Sequence, residues 1–444
     1  MSTICSDSPI AISALATEPT TVLRGELVSD LNIAIDPADD VSMAKVRRQT
    51  DKYFTRTARM ACYLGNPYDV SAVSLRGPAL AAFRRATGFI VRAVHEQGIP
   101  VEITNWIGQV TRYVPKKQIG DDLVKILLPF PEGDKVAAGQ PMIYTHGPVK
   151  ALAELETGTL ARLGGASVDA LNAYDMCVAL PKVPFIDMSA RHCEDGSHNS
   201  IAYGTSVGSR AAQADYGAKG FIGSSTDETA HWFGAKEGMG SMPHRAIKMC
   251  GSTLKAAEVY YECFPDLPLI VLVDYFGKEV TDSLEVAARF THLAKQGKLY
   301  VRLDTHGGRY MEGLDLDKSH AVIQRYAPHM LKQNLTDKQY KMLVKEGVSV
   351  AAVWFMREQL DRAGYRDVKI LASSGFTPEK CRLFAAANAP VDMIGTGSHL
   401  PATREETFFK QEALGSKDDL GPKVGRGWTL HHFRRDAAQA RFTL

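Results

Sequence analysis

The chain has 444 residues, 45% hydrophobic and 23% charged, with 52 Lys and Arg against 50 Asp and Glu for a formal net charge of +2. That balance excludes broad disorder and a generally basic nucleic-acid surface, and the length suits two or three lobes with sizeable cores. No apolar run approaches the roughly 20 residues that span a bilayer, so no membrane partner is expected.

The first 26 residues lack a basic segment followed by an uninterrupted apolar one, and are read as a mobile arm or an extended lead-in rather than a signal peptide. The seven cysteines (Cys5, Cys62, Cys177, Cys193, Cys250, Cys263 and Cys381) are scattered and never spaced C-x-x-C. This predicts reduced thiols in a cytoplasm rather than a disulfide framework or structural zinc. Ala81–Glu96 places apolar residues at helical spacing. Leu123–Phe130 reads as a strand entering the turn Pro131-Glu-Gly-Asp134, Met142–Tyr144 as a further strand, and Leu152–Leu163 as a helix. Strands and helices do not alternate regularly over residues 1–180, which predicts an α+β lobe.

From Val183 the rhythm changes. Short apolar strands are predicted at Val183–Met188, Gly220–Ser224, Leu269–Asp274, Leu299–Asp304, Val368–Ala372 and Asp392–Gly395, separated by helices such as Val280–Gln296 and Val350–Ala363. Six strands alternating with crossover-length helices predict a parallel sheet, and over about 220 residues an irregular TIM-like α/β barrel spanning 181–400. Residues 401–444 fall outside the rhythm and are expected to pack back on the first lobe. The fold class is therefore α/β, a barrel with an α+β sandwich lobe formed from both chain ends.

In such a barrel chemistry gathers where the strands end. Those ends carry Asp187-Met-Ser-Ala-Arg191, Gly223-Ser-Ser225-Thr, Gly240-Ser-Met-Pro-His244, Asp274, Arg302-Leu-Asp304, Ser373-Ser374-Gly375 and Gly395-Thr396-Gly397-Ser398. Either of the last two alone reads as an ordinary turn; two in succession after late strands point to a phosphate grip built from backbone N–H groups. Arg191 and Arg302 could hold phosphate or carboxylate. Asp187, Asp274 and Asp304 could face a cationic carbon, hold magnesium through water, or simply cap helices. His244 could carry a proton or act as a nucleophile, although a lone histidine near a turn is more often a packing residue. His192 and His198 lack metal-site spacing and are unassigned. No P-loop or dinucleotide glycine fingerprint is present.

Taken together, the motifs resemble the nicotinate phosphoribosyltransferase family of barrel-type phosphoribosyltransferases, in family order from Thr50 to Ser398. Thr50-Asp-Lys-Tyr53 is similar to T-D-x-Y, Glu154-Leu-Glu-Thr157 to an E-T helix, Asp187–Arg191 in part to [DE]-F-G-x-R, Gly223–Thr226 to G-T-S-N, Gly240–His244 to G-T-M-x-H, and Val301–Asp304 to V-R-x-D-S-G. Met188 and Ser189 stand where the family has Phe-Gly, and Thr305-His306 where it has Ser-Gly.

The resemblance implies that nicotinate and 5-phosphoribosyl-1-pyrophosphate give nicotinate mononucleotide and pyrophosphate, with magnesium, in NAD synthesis. It implies ATP as co-substrate, with His244 phosphorylated, and a cytoplasmic homodimer with shared active sites. Tyr53 would stack on the pyridine ring across the dimer. Asp187 and Arg191 would line the ring end, and Ser225 would sit by the carboxylate, where nicotinamide-using relatives carry a repelling Asp. Asp274, Arg302 and Asp304 would face the ribose pyrophosphate; Ser374, Gly375, Gly395, Thr396 and Gly397 would hold the 5-phosphate. The alternatives are a magnesium-dependent barrel lyase or aldolase using the three aspartates, and a divergent phosphoribosyltransferase or nucleotide-binding protein with another ring ligand.

Overall fold

The computed structural model describes residues 21–24, 41–401, 409–415 and 436–440. The lead-in expected over residues 1–26 lies almost wholly outside these, as does much of 401–444. Two compact units divide the chain: Met1–Gly164 with Thr407–Leu444, and Gly165–Glu406. The sequence reading put the first boundary at 180. Here it falls at Gly164-Gly165, inside the continuous helix Glu156–Ala179, where the helix runs on through the glycine pair.

The first unit holds a seven-stranded mixed sheet in the order Thr21–Arg24, Val110–Val114, Val101–Thr104, Val124–Leu127, Pro141–Pro148, Tyr68–Leu75 and Phe409–Gly415. Val70, Ala72, Leu127, Tyr144 and Ala440 form one buried cluster. The predicted helix forms as Arg84–Glu96, and its periodic apolar residues Phe89, Ile90, Val91 and Val94 are buried. Tyr144 donates its hydroxyl to Asp436 Oδ2 at 3.0 Å, which ties the last described segment to the sheet.

The second unit holds six strands, all parallel, in the order Phe221–Ser224, Phe185–Asp187, Met393–Thr396, Lys369–Ala372, Leu299–Leu303 and Leu269–Leu272. Every strand predicted after Val183 is present within a residue or two of its expected ends. Leu269–Leu272 is buried throughout, as befits a parallel strand covered on both faces. Local chemistry sets the helix limits. Ser349 Oγ accepts from Ala352 N–H at 3.2 Å to start Val350–Arg362, and Gly217 at φ 63° ends Asp195–Tyr216. The single helix expected over Val280–Gln296 is instead two, Glu279–Arg289 and Thr291–Lys295. Phe290 leaves helical dihedrals between them and buries its ring.

Ile186, Ile270, Leu371 and Met393 form a buried cluster with Met188 and Met239 packed against it. Among the described residues no pairing joins Phe221–Ser224 to Leu269–Leu272, and the expected barrel is not closed by hydrogen bonds. Residues 238–243, Gly-Met-Gly-Ser-Met-Pro, bond to one edge strand and to the strand next to the other edge. Met239 N–H donates to Ser224 O at 2.7 Å, and Arg302 on the penultimate strand donates to Met242 O at 3.5 Å. Two glycines and a proline keep this segment from becoming a regular strand. No helix among the described residues is long and apolar enough to cross a membrane, and the six described cysteines are free thiols.

Candidate active site

Parallel pairing brings the strand ends of the second unit to one rim. At its centre Arg302, on Leu299–Leu303, is 8% exposed and donates to Asp304 Oδ2 at 3.1 Å, to the Ser241 hydroxyl and to Met242 O. The other oxygen of Asp304 accepts from Ser373 Oγ at 2.9 Å. This carboxylate is therefore oriented from both sides, with a guanidinium to balance its charge. Ser373 leads into the turn Ser374-Gly375, where both residues adopt left-handed dihedrals, φ 80° and 65°, and both are exposed. The second late turn is joined to the first: Thr396 Oγ1 donates to Phe376 O at 3.3 Å.

Beside this centre, His244 opens the helix His244–Cys250 after Pro243, and its Nε2 lies 3.3 Å from Asp274 Oδ2. The imidazole is half exposed whereas Asp274 is buried, so the ring has an open side and a carboxylate behind it. Asp274 Oδ1 is buried without a hydrogen-bond partner. A network that the sequence reading did not anticipate supports Asp274. The fully buried Glu279 accepts from Thr305 Oγ1 at 2.9 Å and pairs with Arg309, which also donates to Asp274 O at 3.0 Å. Thr305, a departure from the family pattern, thus uses its hydroxyl to bind two strand-end loops together.

Asp187 is fully buried. Its Oδ1 accepts from Ser189 N–H at 2.8 Å, and burial raises its carboxyl above the usual range, opposed by Ser189 and by the charge of His198. Its Oδ2 and the Nε2 of His198 are buried without partners. Asp187 therefore forms the floor of the rim, whereas Arg191 and Ser225 are exposed on it, the latter placed by its N–H to Asp187 O at 2.9 Å. Met188 crosses to the second late turn, where its N–H donates to Thr396 O at 2.7 Å. A Cβ on Gly395 would meet Met188 Cε at 2.6 Å, and one on Gly397 would meet Met188 O at 2.3 Å. Close packing against Met188 thus accounts for both glycines independently of any anion.

Tyr53 belongs to the other compact unit. It is 59% exposed on helix Lys52–Tyr63, whose Met60 and Tyr63 are exposed as well, and its hydroxyl donates to Asp51 Oδ2 at 3.4 Å. The two early motifs meet there, because Asp51 N–H donates to Thr157 Oγ1 at 3.2 Å and Thr50 Oγ1 to the same atom at 3.1 Å. Burial, with help from Asp51, pushes the Glu156 carboxyl up to about 7.

Sequence reasoning missed Lys380. It is 7% exposed in the first turn of helix Pro378–Ala386, with Nζ donating to Ser374 O at 2.9 Å. In Thr-Pro-Glu-Lys nothing separates it from a surface lysine. Among the described residues no three His, Cys, Asp or Glu side chains are grouped to hold a metal ion. The three aspartates are engaged separately, with Ser189, His244 and Arg302.

No family model matches the chain. It is 26% identical over 275 residues to nicotinate phosphoribosyltransferase pncB2 of Mycobacterium tuberculosis, an alignment covering 62% of this chain and 48% of that protein. The chain thus spans about half the length of the curated relatives it matches. Among solved structures, nicotinate-nucleotide pyrophosphorylase from Pyrococcus furiosus superposes with a TM-score of 0.59 at 19% identity, covering 88% of this chain and 81% of that one. Human nicotinic acid phosphoribosyltransferase gives 0.53 at 15% identity, covering 85% and 76%. At these identities the superpositions establish a shared fold, and with the sequence match they bear out the resemblance to the nicotinate phosphoribosyltransferase family.

Proposed function

We propose that this chain, a relative of the nicotinate phosphoribosyltransferases in sequence and fold, transfers the phosphoribosyl group of 5-phosphoribosyl-1-pyrophosphate to nicotinate. The observation that carries the reading is the joined pair of late turns beside Asp304, itself held between Arg302 and Ser373. The 5-phosphate would lie on Ser374, Gly375 and the Gly395-Thr396-Gly397 turn. The pyridine nitrogen attacks C1 as the C1–O bond to pyrophosphate breaks, and Asp304 faces the positive charge that develops on the sugar. Arg302 would neutralise the departing anion.

The unpartnered Oδ1 of Asp274 fits a hydrated magnesium ion carried by the pyrophosphate, which would add charge neutralisation. Arg191 and Ser225 would receive the carboxylate end of the ring. Tyr53 would reach the ring site of a second copy, and the exposed Met60 and Tyr63 on its helix suit such a homodimer. The open side of His244 suits phosphorylation by ATP, with Asp274 holding the ring from behind.

The lyase reading needs converging carboxylates and would be favoured by separated late turns; among the described residues no three carboxylates are grouped, and Thr396 Oγ1 bonds one late turn to the other. Incubation with nicotinate, 5-phosphoribosyl-1-pyrophosphate, magnesium and ATP is expected to yield nicotinate mononucleotide by mass. His244→Ala should abolish turnover-coupled ATP hydrolysis and leave slow ATP-independent transfer. Mononucleotide formation from other pyridine or pyrazine carboxylic acids, with nicotinate inert, would favour a divergent ring specificity. No mononucleotide from any of them would overturn the proposal.

A further inference from the structure

Lys380 is a buried cation behind an exposed turn, and three observations define its position. Its ammonium donates to Ser374 O at 2.9 Å. It lies over the ring of Phe376 at 4.3 Å and near that of Phe384 at 5.7 Å, so its stem and charge rest on aromatic faces. Its own N–H is capped by Thr377 Oγ1 at 3.3 Å, which fixes the residue in the first helical turn.

A trans peptide directs its C=O and N–H to opposite sides. With Ser374 O pinned inward by Lys380, the N–H of Gly375 points outward. Among the described residues neither Ser374 N–H nor Gly375 N–H has a protein acceptor, and both residues are exposed.

We propose that Lys380 is the charged half of the sugar-phosphate site: it turns the Ser374–Gly375 amide, and so the Gly375 N–H, toward the ligand and supplies the positive charge behind it. This rests on the phosphoribosyl reading above and adds to it a residue that acts partly through the backbone. A buried cation with one hydrogen bond and two aromatic faces is short of anionic partners, and a phosphate dianion on the far side of the turn would supply one. The titratable groups that face Lys380 are Asp304, already committed to Arg302 and Ser373, and the neighbouring thiol Cys381, which burial keeps protonated. Burial pushes the ammonium down to about 8, with Cys381 and Asp304 acting the other way. A bound dianion would raise it again, so binding above pH 8 takes up a proton.

Ribose 5-phosphate binding to the full chain, followed by calorimetry, tests this. Wild type is expected to bind at pH 7 and to weaken as pH rises through 8 to 9.5, with proton uptake at pH 8.5 seen as heat that varies with the buffer. Lys380→Met keeps an unbranched stem on the two rings; it should bind at least tenfold more weakly at pH 7, with a flat profile from pH 7 to 9.5 and no proton uptake. Unchanged affinity and profile in a folded Lys380→Met would overturn the role of Lys380 while leaving the phosphate site standing. Wild-type binding without proton uptake at pH 8.5 would do the same even if the variant failed to fold. No wild-type binding at all would remove both the site and the lysine.

Discussion

Ser374 is a serine where the backbone takes a glycine-like path, with φ at 80°. A left-handed residue with a Cβ is strained by about 1–2 kcal/mol, and glycine recovers most of that, less its own loss of chain entropy. Ser374→Gly is therefore expected to raise stability by roughly 0.5–1 kcal/mol in denaturant unfolding, with ribose 5-phosphate affinity unchanged under the proposal above, in which a backbone N–H makes the contact. A lower affinity in this variant would give the Ser374 hydroxyl a direct part in binding. Single residues were unevenly legible in the sequence. The rim residues Arg302, Asp304 and His244 stood out by motif order. Lys380 and Glu279 did not, since their meaning comes from burial, which a local string of residues does not encode.

At the scale of elements, all six parallel strands could be read because each is a short apolar run ending in polar or glycine residues. Helices were read less completely. Asp195–Tyr216 and Glu156–Ala179 are buried on several sides, so the one-faced pattern that marks a surface helix is weak in them. The break at Phe290 follows from a packing demand with no sequence punctuation. Among the described residues the barrel is not closed by strand pairing; residues 238–243 bond to Phe221–Ser224 and to Arg302 on the penultimate strand without being a strand.

The start of Glu156–Ala179 carries a pH signature. Between about 4.5 and about 7 the folded chain keeps a proton on Glu156 that the unfolded chain releases. The stability it contributes is present below that window and fades as pH rises through it. Thermal midpoints measured from pH 4.5 to 7.5 should show a fall attributable to this group, and Glu156→Gln should flatten it. An identical slope in wild type and variant would show that Glu156 titrates alike in both states.

For the whole molecule, the first unit depends on the far end of the chain. Phe409–Gly415 pairs with Tyr68–Leu75, Ala440 enters the buried cluster, and Asp436 accepts from the buried Tyr144 hydroxyl. Ending the chain at residue 406 would bare a sheet edge and remove Asp436 and Ala440 from their contacts with the sheet. The shortened chain is expected to express with a lower soluble fraction and a lower thermal midpoint; unchanged values would mean that the terminal strand is dispensable. The second unit is tied just as late. Its strand Phe185–Asp187 lies inside the sheet, between Phe221–Ser224 and Met393–Thr396. On the ribosome, this strand therefore waits for a neighbour synthesised roughly 200 residues later, on the order of 10–40 s at ordinary elongation rates. Each unit thus pairs early strands with partners made much later, Tyr68–Leu75 with Phe409–Gly415 and Phe185–Asp187 with Met393–Thr396, so the early strands need shelter while they wait.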